Sequence, residues 1–145
     1  MASKNEEEIR KISVELRLLE QTAETLQSRL SMLNAVTQDL TYANVTLESL
    51  EKEKENSELL VPIGGTSYIR TKLDNPNQII VGIGAGVSVE KTRQEAKDVI
   101  NKRLEDLQKA RTSTQQQFAQ IAERINEDRE RFEALVATVR GEKAS

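Results

Sequence analysis

Apolar residues recur at alternating steps of three and four along the first third of the chain. The series is Ile9, Ile12, Leu16, Leu19, Ala23, Leu26, Leu30 and Leu33, and it continues with Leu40 and Leu47. This spacing is a heptad repeat, which is typical of a helix that buries a narrow seam in a coiled coil. It predicts a first coiled-coil helix over about residues 8–56.

A second heptad series occupies the last third of the chain in one register. Its members are Ile100, Leu104, Leu107, Phe118, Ile121, Ile125, Phe132, Leu135 and Val139. Thr92 and Glu95 have the spacing of a capping box, so a second helix is predicted over about residues 92–140. Burial of one Leu or Ile stabilises by roughly 1.5–3 kcal/mol, and neither helix can bury its seam alone. The two seams are therefore expected to pair as an antiparallel coiled coil.

Some positions of the two seams are polar, namely Thr37, Asn44, Arg111, Thr114 and Asp128. Polar residues at such positions lower the stability of a coiled coil while fixing its register or its choice of partner. They can also be merely tolerated, and the pattern leaves both interpretations open. The pairing register follows from the sequence only to about one heptad.

The segment between the helices has the pattern of β-structure. Gly64-Gly65 and Gly84-Ala85-Gly86 each separate two short apolar stretches, and Asp74-Asn75-Pro76-Asn77 is a strong turn signal. Residues 59–90 are therefore predicted to form four short strands in two β-hairpins. The alternating glycines lack the spacing of a dinucleotide-binding loop, so turns and bulges explain them better. The predicted fold is α+β, mainly α, with one domain over residues 1–145.

Four short strands need a covered face, and the two helices are expected to be committed to each other. The apolar strand residues are therefore expected to meet the same segment of other subunits in an oligomeric β-barrel platform. A small self-contained β cap is the alternative. The predicted assembly residues are Val61, Ile63, Ile69, Ile80, Val81, Ile83, Val87 and Val89.

Composition excludes several classes of function. The chain has no Cys and no His, which removes thiol nucleophiles, disulfides, Cys/His zinc sites and imidazole catalysis. Charged residues make up 31% and aromatic residues 3%, a composition typical of solvated helices rather than of a compact enzyme. We predict no catalytic residue, cofactor or metal. A net charge of −3 without a basic cluster argues against nucleic acid, and no apolar run would span a membrane, so a cytoplasmic protein is expected.

Residues 59–69, LLVPIGGTSYI, are similar to the first hairpin of α-class prefoldin subunits, and residues 80–91, IVGIGAGVSVEK, resemble the second. The seams and hairpins also occur in that family's order, as in its archaeal members. The resemblance implies a hetero-hexamer of two α-class and four β-class subunits that works without nucleotide. It further implies that unfolded clients bind at the tips of the coiled-coil arms and pass to a group II chaperonin.

In an antiparallel pair the start of the first helix lies beside the end of the second, and helix ends open easily. The expected client-binding residues are Ile9, Ile12, Leu16, Phe132, Leu135 and Val139, although they could simply complete the seam. The alternative function is a structural coiled-coil adaptor that oligomerises through its β segment. An enzyme is a distant third.

Overall fold

The computed structural model describes residues 3–144. The elements are α1 (Lys4–Leu50), β1 (Glu58–Gly64), β2 (Ser67–Lys72), β3 (Ile79–Gly84), β4 (Val87–Lys91) and α2 (Arg93–Ala144). This order confirms the predicted α+β fold of two long helices joined by two hairpins. Within the described residues, neither helix contains an apolar stretch that could cross a membrane.

The chain divides into two compact units. The helical unit comprises residues 3–34 and 108–144, and the mixed unit comprises Ala35–Leu107. The outer limits of the predicted domain, residues 1 and 145, lie outside the described residues. The assignment of a single domain stays a prediction.

The first helix begins earlier and ends earlier than the predicted range 8–56. Its start at Lys4 follows from Ser3, whose Oγ accepts a hydrogen bond from the Glu6 N–H at 3.2 Å, as an N-cap does. It ends at Leu50, the last α1 residue packed against the core of the mixed unit. The charged residues that follow have no seam to bury, and Asn56 adopts a left-handed conformation with φ of 65°.

The second helix begins at the predicted capping box. The Thr92 N–H donates to Glu95 Oε1 at 3.2 Å, and the Glu95 N–H donates to Thr92 Oγ1 at 3.1 Å. These hydrogen bonds with Thr92 lower the pKa of Glu95. The helix continues to Ala144 instead of ending near residue 140, and in its last turn Lys143 lies 3.8 Å from the carboxylate of Glu6 on α1.

Contacts between α1 and α2 show that the helices pair in opposite directions in each unit. In the helical unit, Glu8 contacts Arg131 and Glu15 contacts Arg124. In the mixed unit, Asn44 Nδ2 donates to Asn101 Oδ1 at 2.7 Å, and Glu48 lies 3.2 Å from Lys97. Rising residue numbers on α1 thus meet falling numbers on α2, which confirms the antiparallel pairing. The Asn44–Asn101 bond fixes the register that the sequence left open.

The core of the mixed unit joins the second hairpin to the helices. Its buried members are Leu47, Val81, Ala96 and Ile100, of which only Val81 comes from a strand. In addition, the Arg103 guanidinium donates to the carbonyl oxygen of Gly82. The expectation that the helices leave the strands uncovered is therefore wrong for Val81, which is 6% exposed. Ala96 has a small side chain, which lets a strand approach the helix closely.

The two hairpins are separate antiparallel pairs, β1 with β2 and β3 with β4. In the second hairpin the register shifts between Gly82 and Gly84, as in a β-bulge. Gly84 and Gly86 have φ of 109° and 75°, values that favour glycine. The alternating glycines are thus turn and bulge residues, as predicted.

Two neighbouring residues of β3, Val81 and Ile80, test the packing of the second hairpin against the helices. Val81→Ala is expected to lower the free energy of unfolding of the isolated full-length chain by about 1–3 kcal/mol, because it leaves a cavity against Leu47 and Ile100. Ile80 is 74% exposed, so Ile80→Ala should change that free energy by less than about 0.5 kcal/mol. Chemical denaturation followed by circular dichroism measures both. Equal effects of the two changes would contradict the docking of the second hairpin.

Candidate functional site

The six predicted client-binding residues lie in the helical unit, and we call them the terminal seam residues. Ile12 is buried, at 3% exposure, and Ile9, Leu16, Phe132, Leu135 and Val139 are half-buried. The contact of Glu8 with Arg131 places Ile9 and Ile12 on the same stretch of the helix pair as Phe132 and Leu135. The structure thus brings these residues together as the last part of the apolar seam. Five of the six keep part of their surface open.

Ion pairs flank this part of the seam. Arg131 contacts Glu8, Arg124 contacts Glu15, and Arg129 lies 3.0 Å from Glu20. The hydrogen bond to Glu15 raises the pKa of Arg124. All of these side chains are partly exposed, so solvent screens the pairs, and each is worth at most about 1 kcal/mol. They specify the alignment of the helices more than they stabilise the unit.

Asp128 weakens the seam between Ile125 and Phe132. It is 8% exposed, and its Oδ2 is buried without a hydrogen-bond partner in residues 3–144. The nearby Arg124 is already bound to Glu15. An unsatisfied buried carboxylate destabilises the packed state. The polar seam residue Thr114 differs, because its hydroxyl donates to the Ala110 carbonyl at 2.8 Å.

A second apolar surface of the helical unit was not predicted from the sequence. Val14 and Leu18 are 57% and 58% exposed, and they line a shallow groove together with Arg10, Lys11 and Glu15. The heptad pattern did not identify Val14 and Leu18 because they lie outside the seam register. Their spacing of four residues, which puts them on one helix face, was the available signal.

The predicted assembly residues divide into two groups. Val81 is buried and Val89 is half-buried, whereas the other six are 40–74% exposed: Val61, Ile63, Ile69, Ile80, Ile83 and Val87. Leu60 and Tyr68 are also about as exposed, at 60% and 58%, and were missed because they alternate with the predicted set along the first hairpin. So many exposed apolar side chains on two short hairpins are typical of a surface that another protein covers.

The described residues bring together no group of three or more carboxylates placed to hold a metal ion.

Removing the buried carboxylate should stabilise the helical unit. We expect Asp128→Leu to raise the free energy of unfolding of the helical unit by about 1–3 kcal/mol, because an apolar seam side chain replaces a carboxyl group whose Oδ2 is buried without a hydrogen-bond partner. Thr114→Val, at a buried but satisfied position, is the matched control and should change it by less than about 1 kcal/mol. Hydrogen exchange of the α2 amides near residue 128 measures the effect. Unchanged or faster exchange in Asp128→Leu would show that the carboxylate has a partner.

Comparison with known proteins places this arrangement in a family. Residues 19–137 match the family described as Prefoldin subunit. The chain is 34% identical over 126 residues to prefoldin subunit alpha of Pyrococcus horikoshii, covering 86% of this chain and 85% of that one. It is 31% identical over 125 residues to prefoldin subunit alpha of Methanococcoides burtonii, covering 86% and 91%.

A solved structure has a similar fold. The fold is similar to a chain in the cryo-EM structure of filamentous PFD from Methanocaldococcus jannaschii, with a TM-score of 0.68 and 25% identity. The similarity covers 77% of this chain and 93% of that one. Two long helices joined by two hairpins, the match over residues 19–137 and the α-subunit relatives lead to one conclusion, which confirms the predicted resemblance: the chain belongs to the prefoldin subunit family.

Proposed function

We propose that this chain is the α-class subunit of an ATP-independent cytoplasmic holdase that binds unfolded proteins and passes them to a group II chaperonin. Membership of a chaperone family supports the proposal, and so do the α-subunit names of its relatives. In this proposal the subunit catalyses no reaction. It binds a client through exposed apolar surface and releases that client unchanged.

The observation that carries the proposal is the position of the half-buried terminal seam residues near the ends of the two helices. Ile9, Leu16, Phe132, Leu135 and Val139 retain open surface beside the buried Ile12. Helix ends fray at low cost, so the remaining surface can become available to a client. Each such contact is weak, but several subunits acting on one client multiply their effect through avidity.

Assembly supplies those several subunits. We propose that two copies of this chain join four β-class subunits, and that the exposed hairpin residues form the contacts. The support is their exposure, with Ile80 at 74% and Leu60 at 60%. A self-contained cap would leave this apolar surface in water, which is unfavourable by about 25 cal/mol for each Å².

A structural adaptor is the second candidate. The ion pairs of Glu8 with Arg131 and Glu15 with Arg124 favour it, because they hold the end of the helical unit in one arrangement that suits a single folded partner. In that case the chain would not bind unfolded proteins. The two candidates therefore differ in what the terminal seam residues do.

A triple substitution separates these candidates. We expect Ile9→Ser with Phe132→Ser and Leu135→Ser to raise the amount of assembled chaperone needed to suppress client aggregation by at least about tenfold, since each lost apolar contact is worth roughly 1.5–3 kcal/mol. Ile12 is left unchanged because it is buried and its loss would open the seam. The assay measures light scattering of a denatured client without nucleotide.

The matched control uses the same residue types elsewhere in the same unit. Leu30→Ser with Phe118→Ser and Ile121→Ser changes three half-buried seam residues away from the helix ends. It should suppress aggregation like the wild type, provided that native mass and helicity are retained. If both triple variants suppress aggregation equally well, the terminal seam residues do not bind clients.

A further inference from the structure

In the part of the chain that the structure describes, the large apolar side chains that are exposed on a helix belong to α1. Among residues 3–144, α1 carries six large apolar side chains that are 47–70% exposed, whereas α2 carries none of comparable exposure. The six residues are Val14, Leu18, Met32, Val36, Tyr42 and Val45. The two helices thus offer different surfaces to a partner.

The ion pairs between the helices have a consistent polarity. Ion pairs join α1 to α2 through Glu6, Glu8, Glu15, Glu20 and Glu48, and in each of these pairs the carboxylate belongs to α1 and the cation to α2. The α1 carboxylates in the helical unit that are used in this way are Glu6, Glu8, Glu15 and Glu20. The pairs therefore neutralise these four carboxylates, while Glu7 and Glu24 of the same unit, like Arg10 and Lys11, are exposed and enter none of these pairs.

Arg10, Lys11, Val14 and Leu18 form one surface of the helical unit, and we call it the α1 outer stripe. The four line a shallow groove, with Glu15 at its edge. The Glu15 carboxylate is held by Arg124, whereas Arg10 and Lys11 enter no ion pair with another residue of the described chain. The stripe thus combines two exposed apolar side chains with two available positive charges.

We propose that the α1 outer stripe binds unfolded segments in which apolar residues stand next to Asp or Glu. The proposal rests on the proposed holdase function and adds a preference among its clients. Val14 and Leu18 supply apolar contact, while Arg10 and Lys11 attract carboxylates and repel basic segments. Charge complementarity of this kind sets partner choice and the rate of encounter more than total affinity.

Exposed carboxylates on α2 strengthen this preference for α1. Glu123, Glu130 and Glu133 are exposed on α2 in the same unit, and none of them forms an ion pair with the described residues of α1. Like charges repel an acidic segment from these residues, and within residues 3–144 α2 offers no large exposed apolar side chain to compensate. An acidic and apolar segment is therefore directed to α1.

Two labelled peptides test the proposal on the intact assembled complex. They have the same length and apolar residues, and differ only in having Glu or Lys at the intervening positions. Fluorescence anisotropy should show that the wild-type complex binds the Glu peptide about tenfold more tightly, with a smaller difference at high salt. Arg10→Glu with Lys11→Glu should abolish or invert this preference.

Two further variants give the controls. Arg29→Glu with Arg140→Glu produces the same change in net charge at exposed residues that do not line the groove, and it should keep the preference. Val14→Ser with Leu18→Ser should weaken binding of both peptides about three- to tenfold. Native mass and helicity establish that each variant is assembled and folded.

The outcomes separate this proposal from the function on which it rests. If the Arg10/Lys11 and Val14/Leu18 variants bind both peptides like the wild type, while the Ile9/Phe132/Leu135 variant loses binding, the stripe proposal is overturned and the holdase function stands. Loss of preference in the Arg29/Arg140 control would also overturn it, because net charge alone would then be responsible. If neither peptide binds the wild-type complex although that complex suppresses client aggregation, the stripe proposal alone is overturned, and if aggregation is not suppressed either, the holdase function fails as well.

Discussion

The antiparallel packing of two heptad seams is the interaction on which the rest of the structure depends. It buries Ile12, Leu26 and Ile125 in the helical unit and Leu47 and Ile100 in the mixed unit. The seam uses one face of each helix, so the remaining faces are free to carry charge or exposed apolar residues. Because the seam is narrow, it protects little of the hairpins. Among the strand residues that the structure describes, only Val81 is buried.

The small extent of apolar burial connects the fold to the proposed function. A compact domain would hide its apolar side chains, whereas this chain keeps many of them in contact with solvent on the hairpins and on α1. In the proposed function the exposed hairpin residues make permanent contacts with other subunits. The exposed apolar residues of α1 make short-lived contacts with clients, because charged residues flank them. The Oδ2 atom of Asp128 is buried without a hydrogen-bond partner in residues 3–144, and the expected loss of stability is compatible with helix ends that open.

Much of the fold followed from the sequence, because heptads, glycine turns and the Thr92–Glu95 capping box are local signals. The helix ends were less certain: Ser3 extends α1 backwards, and Asn56 ends the charged stretch in a left-handed conformation. The burial of Val81 could not be predicted, since it depends on the space beside Ala96, a tertiary feature. For the same reason the exposed Val14 and Leu18 were overlooked, because heptad periodicity identifies the seam and says nothing about the outer faces.

The measurement that tests the account most directly is the native mass of the complex purified from its own host, together with the identity of its dissociated subunits. The central claim is that other subunits cover the exposed hairpin residues, including Ile80, Leu60 and Tyr68. The account predicts two copies of this chain with four copies of a β-class partner. A monomer would contradict it, because the hairpin surface would then stand uncovered, and a complex without the β-class partner would contradict the proposed composition.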